Sequence, residues 1–179
     1  LFNKAISQSG SALTATLEQA ENFVDDDVPG MELSSNELIS RVLVTTNRAG
    51  DRDDAIELMD QMGSGEKVGF MRDRSVEEIF AAIGDPGGFG MYGSPQNIRD
   101  GYVLPSVSLY ELFKNKNAYN SVPMILGSNR DEAKLFFAQN PKYVSQWFGL
   151  IPKIKDEQVY NAAAAYHSDQ WKALAVDEP

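Results

Sequence analysis

The sequence predicts an α/β fold that contains part of a parallel sheet, and three observations predict it. Val122-Pro-Met-Ile-Leu126 is a short apolar run that ends at Gly127, the pattern of a strand buried on both faces of a parallel sheet. Lys4-Ala-Ile-Ser-Gln-Ser-Gly10 is a second short strand, leaving the core at a glycine. Between and beyond them lie segments with helix start signals and apolar residues at helical spacing. That alternation reads as a parallel sheet with crossing helices.

A chain of 179 residues is long enough to bury a core and on length alone predicts one domain. With 42% hydrophobic and 23% charged residues it reads as globular and soluble. The net charge of −10 argues against a nucleic-acid partner. The sequence has no cysteine, which excludes disulfides, thiolate metal sites and a cysteine nucleophile. No apolar run approaches the ~20 residues of a membrane span.

Taken in order, residues 14–33 show no clear period. Asp25-Asp-Asp27 within them lacks the alternating oxygens and glycine turn of a calcium loop, so it reads as a solvated loop. Ser34-Ser-Asn-Glu37 is a capping box, followed by Leu38, Val42, Thr45 or Thr46 and Ala49 at helical spacing and a stop at Gly50. A second helix is predicted from about Asp53 to Met62, with Ile56, Met59 and Met62 inward, ended by Gly63-Ser-Gly65. The run 63–69 follows a helix rather than a strand and does not match a dinucleotide fingerprint. Ser75-Val-Glu-Glu78 is a second capping box, opening a helix to about Ile83 whose core stripe is Val76, Ile79, Phe80 and Ile83. Gly84 to Pro95 is too rich in glycine and proline for a regular element, and Phe89, Met91 and Tyr92 give that long loop apolar surface.

Asp100-Gly101 is a turn dipeptide, and a helix is predicted over Ser106–Lys114. Gly127-Ser-Asn-Arg-Asp-Glu132 then forms a polar turn directly after the strand at 122–127. A carboxylate there lies at the edge of the sheet where ligands bind in open α/β folds, so Asp131 and Glu132 are both candidates for a catalytic acid. Beyond Phe137, Asp156 to Tyr166 has the alanines of a helix, and another helix is expected near Asp169–Val176. Residues from about 140 to 179 thus read as a helical insertion, as do those at about 34–83. Trp147 and Phe148 are assigned to packing. His167, the one histidine, sits in Tyr-His-Ser-Asp-Gln-Trp on or beside a helix, an ordinary place for a histidine without catalytic duty.

Four stretches in order, Leu1-Phe-Asn-Lys-Ala-Ile-Ser-Gln-Ser-Gly-Ser-Ala-Leu13, Asp100-Gly-Tyr-Val-Leu-Pro105, Ser121-Val-Pro123 and Gly127-Ser-Asn-Arg-Asp-Glu132, resemble the type-B carboxylesterases, the family that includes cholinesterases. The resemblance runs from the first residue to about Phe137, with weaker similarity at Tyr166–Trp171. It implies an α/β-hydrolase fold, of which residues 1–179 would be a central-to-late fragment of one domain. It also implies a serine carboxylesterase with a Ser-Glu-His triad in which Glu132 is the acid, and Ser9 hydrogen-bonds near that acid. Read from the residues alone, Ser9 satisfies local backbone at a strand end.

The sequence departs from the family pattern at Ala133, where the family has glycine, and at Ser128. Neither Gly-x-Ser-x-Gly nor a Gly-Gly oxyanion segment occurs, so the nucleophile is expected upstream of Leu1 and the histidine beyond Pro179, in the remainder of the parent domain. The implied substrate is a small uncharged or short-acyl ester, with no metal and no cofactor. Some members of this family have lost catalysis and act in binding or adhesion, which is the alternative function.

Overall fold

The computed structural model describes residues 2–84, 96–148 and 150–178. The loop expectation for Phe89, Met91 and Tyr92 lies outside these residues. The chain is a mixture of helix and strand. In order its elements are β1 (Ala5–Gln8), β2 (Thr14–Ala15), α1 (Leu17–Glu21), α2 (Ser35–Thr45), α3 (Arg52–Asp60), α4 (Ser64–Arg72) and α5 (Val76–Ile83). They continue with β3 (Asn97–Ile98), α6 (Leu109–Phe113), β4 (Met124–Gly127), α7 (Glu132–Phe137), β5 (Val144–Trp147), β6 (Ile151–Ile154) and α8 (Glu157–Lys172). A π-helical turn, Ala173–Asp177, follows α8. Two compact units divide the described residues, one from 2–14 and 101–178, the other from 15–84 and 96–100.

The second unit is helical. Ile39, Val42 and Leu43 of α2, Ala55 and Met59 of α3, Phe70 of α4 and Ala82 of α5 form one buried cluster. Ser34 Oγ caps α2 by accepting the Glu37 N–H, but Glu37 does not return to the Ser34 amide as a complete box would. Met31 O takes that amide, and the buried Glu37 carboxylate is left for Arg52 and Val24 N–H. Ser75 and Glu78 do form the full reciprocal box at α5.

Two expectations fail in this unit. The run after Gly63 is helix α4, where the glycines had read as a stop; Glu66 closes its start by accepting the Gly63 N–H at 2.8 Å. The α5 stripe is also rotated. Ala82 is the buried residue and Ile79 packs against the core as expected, while Val76 and Phe80 are 66% and 42% exposed.

In the first unit β1 and β4 pair in parallel, with Ala5 opposite Met124 and Gln8 opposite Gly127. Neither strand is buried on both faces as expected. Ile6 and Ile125 stand opposite each other on one face and are 70% and 66% exposed, since the sheet has only these two strands and among the described residues nothing covers that side. The segment from about 140, expected to be helical throughout, begins instead with the antiparallel hairpin β5–β6. Val144–Trp147 pairs with Ile151–Ile154, Val144 opposite Ile154 and Trp147 opposite Ile151, and Phe148 after the first strand adopts φ 51°. The Trp147 and Phe148 rings meet at a tilt of 53° but are 58% and 80% exposed, so they are not the packed residues expected.

Helix α8 is a single element where two were expected. Its Tyr160 and Ala164 pack on Phe137 of α7 and Val144 of β5. Tyr160 Oη donates to Lys134 O at 2.8 Å, fastening α8 to α7.

Candidate active site

The parallel register sets β1 and β4 to end side by side, at Gln8 and Gly127. The backbone N–H of Ser9 extends the ladder by one bond, donating to Gly127 O at 2.6 Å. Ser9 then takes φ 51°, the left-handed region that residues with a side chain rarely occupy, and the chain leaves the sheet there. Both strand exits are carboxyl ends, the edge at which open α/β sheets place their ligands.

From the exit of β4, the turn 128–131 leads into α7, whose first residue is Glu132. The Ser9 hydroxyl donates to Glu132 Oε2 at 3.1 Å across 123 positions of sequence. The Asn129 N–H donates to the same oxygen at 2.8 Å. Glu132 is half-buried, and among the described residues Oε1 accepts no hydrogen bond. Two donors on Oε2 fix the carboxylate plane and leave Oε1 as the oxygen open to a further N–H.

The start of α7 is itself held. Ala133 is buried, and its N–H donates to Ser168 Oγ of α8 at 3.0 Å. The Ser168 contact, which holds the start of α7, is one that sequence reasoning missed. No local pattern marks it, because its role depends on α8 docking through Tyr160 and Ala164.

Asp131 and Glu132, equivalent on chemistry alone, have different surroundings. Asp131 makes ion pairs with Lys134 at 3.0 Å and Arg130 at 3.2 Å. The Lys134 ammonium first, and the Arg130 guanidinium second, hold its carboxyl below the usual range. It does not cap α7. Glu132 instead faces a hydroxyl and a backbone amide carried by two strand exits.

His167 lies on α8, edge-on to Phe137 at 5.2 Å and to Tyr166 at 5.4 Å. It is not among the hydrogen-bond partners of Glu132. Gly101 adopts φ 73° and its N–H bonds Leu104 O at 2.8 Å, which puts Asp100-Gly101 in a turn. Among the described residues no group of three or more His, Asp or Glu is placed to hold a metal, and no helix is long and apolar enough to cross a membrane. Compared with protein-family models, curated proteins and solved structures, the chain finds no match.

Proposed function

We propose that this chain supplies the acidic residue of a Ser-Glu-His triad in a serine carboxylesterase, Glu132 orienting a histidine and the nucleophile and histidine both lying outside residues 1–179. The observation that carries this reading is the Ser9 Oγ to Glu132 Oε2 hydrogen bond at the paired carboxyl ends of β1 and β4. The likeness of both segments to the type-B carboxylesterases supports it further.

In this reading Glu132 Oε1 accepts the N–H of the histidine. That contact holds the ring in the tautomer whose other nitrogen removes the proton from the serine hydroxyl. The serine oxygen attacks the ester carbonyl, the alcohol leaves with the proton carried by the histidine, and an acyl-enzyme remains. Water then enters by the same general-base route and releases the carboxylic acid. Glu132 stays ionised throughout and offsets the charge that develops on the imidazole.

The test is Glu132→Gln in the complete enzyme, with kcat/KM read on a p-nitrophenyl ester and circular dichroism confirming the fold. An amide in this position favours the wrong tautomer, and comparable triads lose on the order of 10⁴ in kcat, about 5 kcal/mol. Asp131→Asn and His167→Ala should each cost far less, since Asp131 faces Lys134 and Arg130 and His167 packs on Phe137. Near-normal turnover in Glu132→Gln, or a larger loss in either control, would overturn the assignment.

A further inference from the structure

In the helical unit, a hollow of about 620 Å³ opens beside α2 and α4, remote in sequence from Ser9 and Glu132. Its volume is that of a small-molecule site. The floor is apolar, made by Leu38 and Ile39 of α2 with Val68 and Met71 of α4. Leu38 and Met71 pack against the unit's core, so this floor is a fixed surface rather than a set of loose side chains. Val68 is 52% exposed and stands at the opening.

The rim carries two cations, Lys67 and Arg72. Both line the hollow, and neither side chain makes an ion pair or hydrogen bond with another described residue. In the same unit Arg41, Arg52 and Arg74 each have a carboxylate partner, whereas Arg48 lies over the Phe70 ring. Glu21 is the one carboxylate among the described lining residues, so the rim keeps a net positive charge. Ser35, Asn36 and Ser64 add uncharged donors to it.

We infer that this hollow binds a monoanionic amphiphile, a fatty carboxylate or its like, with the alkyl body on the Leu38–Met71 floor and the head group between Lys67 and Arg72. An apolar floor removes the chain from water, and two cations without intramolecular partners supply charged hydrogen bonds to the head. A purely apolar ligand would leave both cations unused. Two cations less the Glu21 carboxylate leave the rim one positive charge, which matches a single negative charge on the head.

The inference is independent of the esterase reading and is tested on the 179-residue chain by calorimetric titration with decanoate below its micellar concentration. Saturable one-to-one binding is expected. The exposed double substitution Lys67→Gln with Arg72→Gln should weaken decanoate about tenfold or more, the lower end of what a charged hydrogen bond contributes, while leaving decanol affinity unchanged. Val68→Trp should block both ligands by filling the opening, and Glu132→Gln should change neither. Absence of saturable decanoate binding, equal loss of decanoate and decanol in the double variant, or full binding in Val68→Trp would each overturn the inference. Loss of esterase activity in Glu132→Gln of the complete enzyme, with decanoate binding intact in the Glu132→Gln 179-residue chain, separates the two sites.

Discussion

Ser9 joins a backbone constraint to a chemical one at a single position. Its φ of 51° is the kind of conformation that glycine adopts without cost, yet the residue carries a hydroxyl, and the hydroxyl meets Glu132. The two constraints separate on substitution. Ser9→Ala removes the hydrogen bond and keeps a methyl at positive φ; Ser9→Gly removes the hydrogen bond and relieves the backbone. If the contact orients the acid, both variants of the complete enzyme should lose kcat/KM by about ten- to a hundredfold, from a charged hydrogen bond of about 1.5–3 kcal/mol. Ser9→Gly should be the more stable to heat, by about 1 kcal/mol. Wild-type turnover in both would show that the hydroxyl is idle. The Ser9–Glu132 contact was legible because a strand end and a local motif mark Glu132, and the motif of Ser9 stands at the exit of the neighbouring strand. Ser168 was not, since the bond it accepts from Ala133 crosses 35 positions and exists only once α8 is seated.

Among the elements, α2 is tied to its neighbours by a carboxylate that the sequence had assigned to its own cap. Glu37 is 3% exposed and accepts from Val24 N–H at 3.1 Å and from Arg52 at 2.8 Å. Arg52, the first residue of α3, also pairs with Asp25 and lies over the Phe23 ring at 5.0 Å. One guanidinium therefore joins the loop at 23–25 to α2 and α3, which also removes Asp25 from the freely solvated loop expected there. Arg52→Ala leaves Glu37 buried with a single neutral donor and should cost about 1–3 kcal/mol. The figure stays below that of a fully buried pair because about a third of the Arg52 side chain, 36%, meets solvent. Glu37→Gln keeps the Val24 contact and leaves Arg52 with Asp25, so its urea midpoint should fall less. The reverse order would sink this account. Helix starts with Ser or Asp at the N-cap were readable, whereas α4 was hidden by Gly63, Gly65 and Gly69, since propensity counts glycines as breaks and tertiary packing of Phe70 outweighs them. The β5–β6 hairpin was missed because a two-residue apolar overlap, Trp147 and Phe148, looks the same in a helix as at a strand end.

At the scale of the whole chain, burial is distributed unevenly. Val42, Leu43, Ala55 and Met59 are between 0% and 1% exposed in the helical unit, while the parallel pair in the other unit leaves Ile6 and Ile125 outward. A two-stranded sheet with two open edges is marginal in water and prone to pair with other chains. The residues 1–179 studied alone should therefore not melt in one step. Local stability follows buried apolar contact, so α2 amides at Val42 and Leu43 should be the last to exchange with solvent, and those of β1 and β4 among the first. Both tryptophans lie in the unit of the parallel pair; Trp147 is exposed already, so Trp171, stacked on Phe136 at 5.8 Å, is the fluorescence reporter for it. On heating, that fluorescence should change at a lower temperature than the protection of α2 is lost, and light scattering should rise with it as the open strands associate. A single sharp transition shared by Trp171 fluorescence and α2 exchange, in a monomer that stays monodisperse, would mean that the two-stranded sheet is complete as it stands. The view that these residues are part of a larger α/β-hydrolase sheet would then fail.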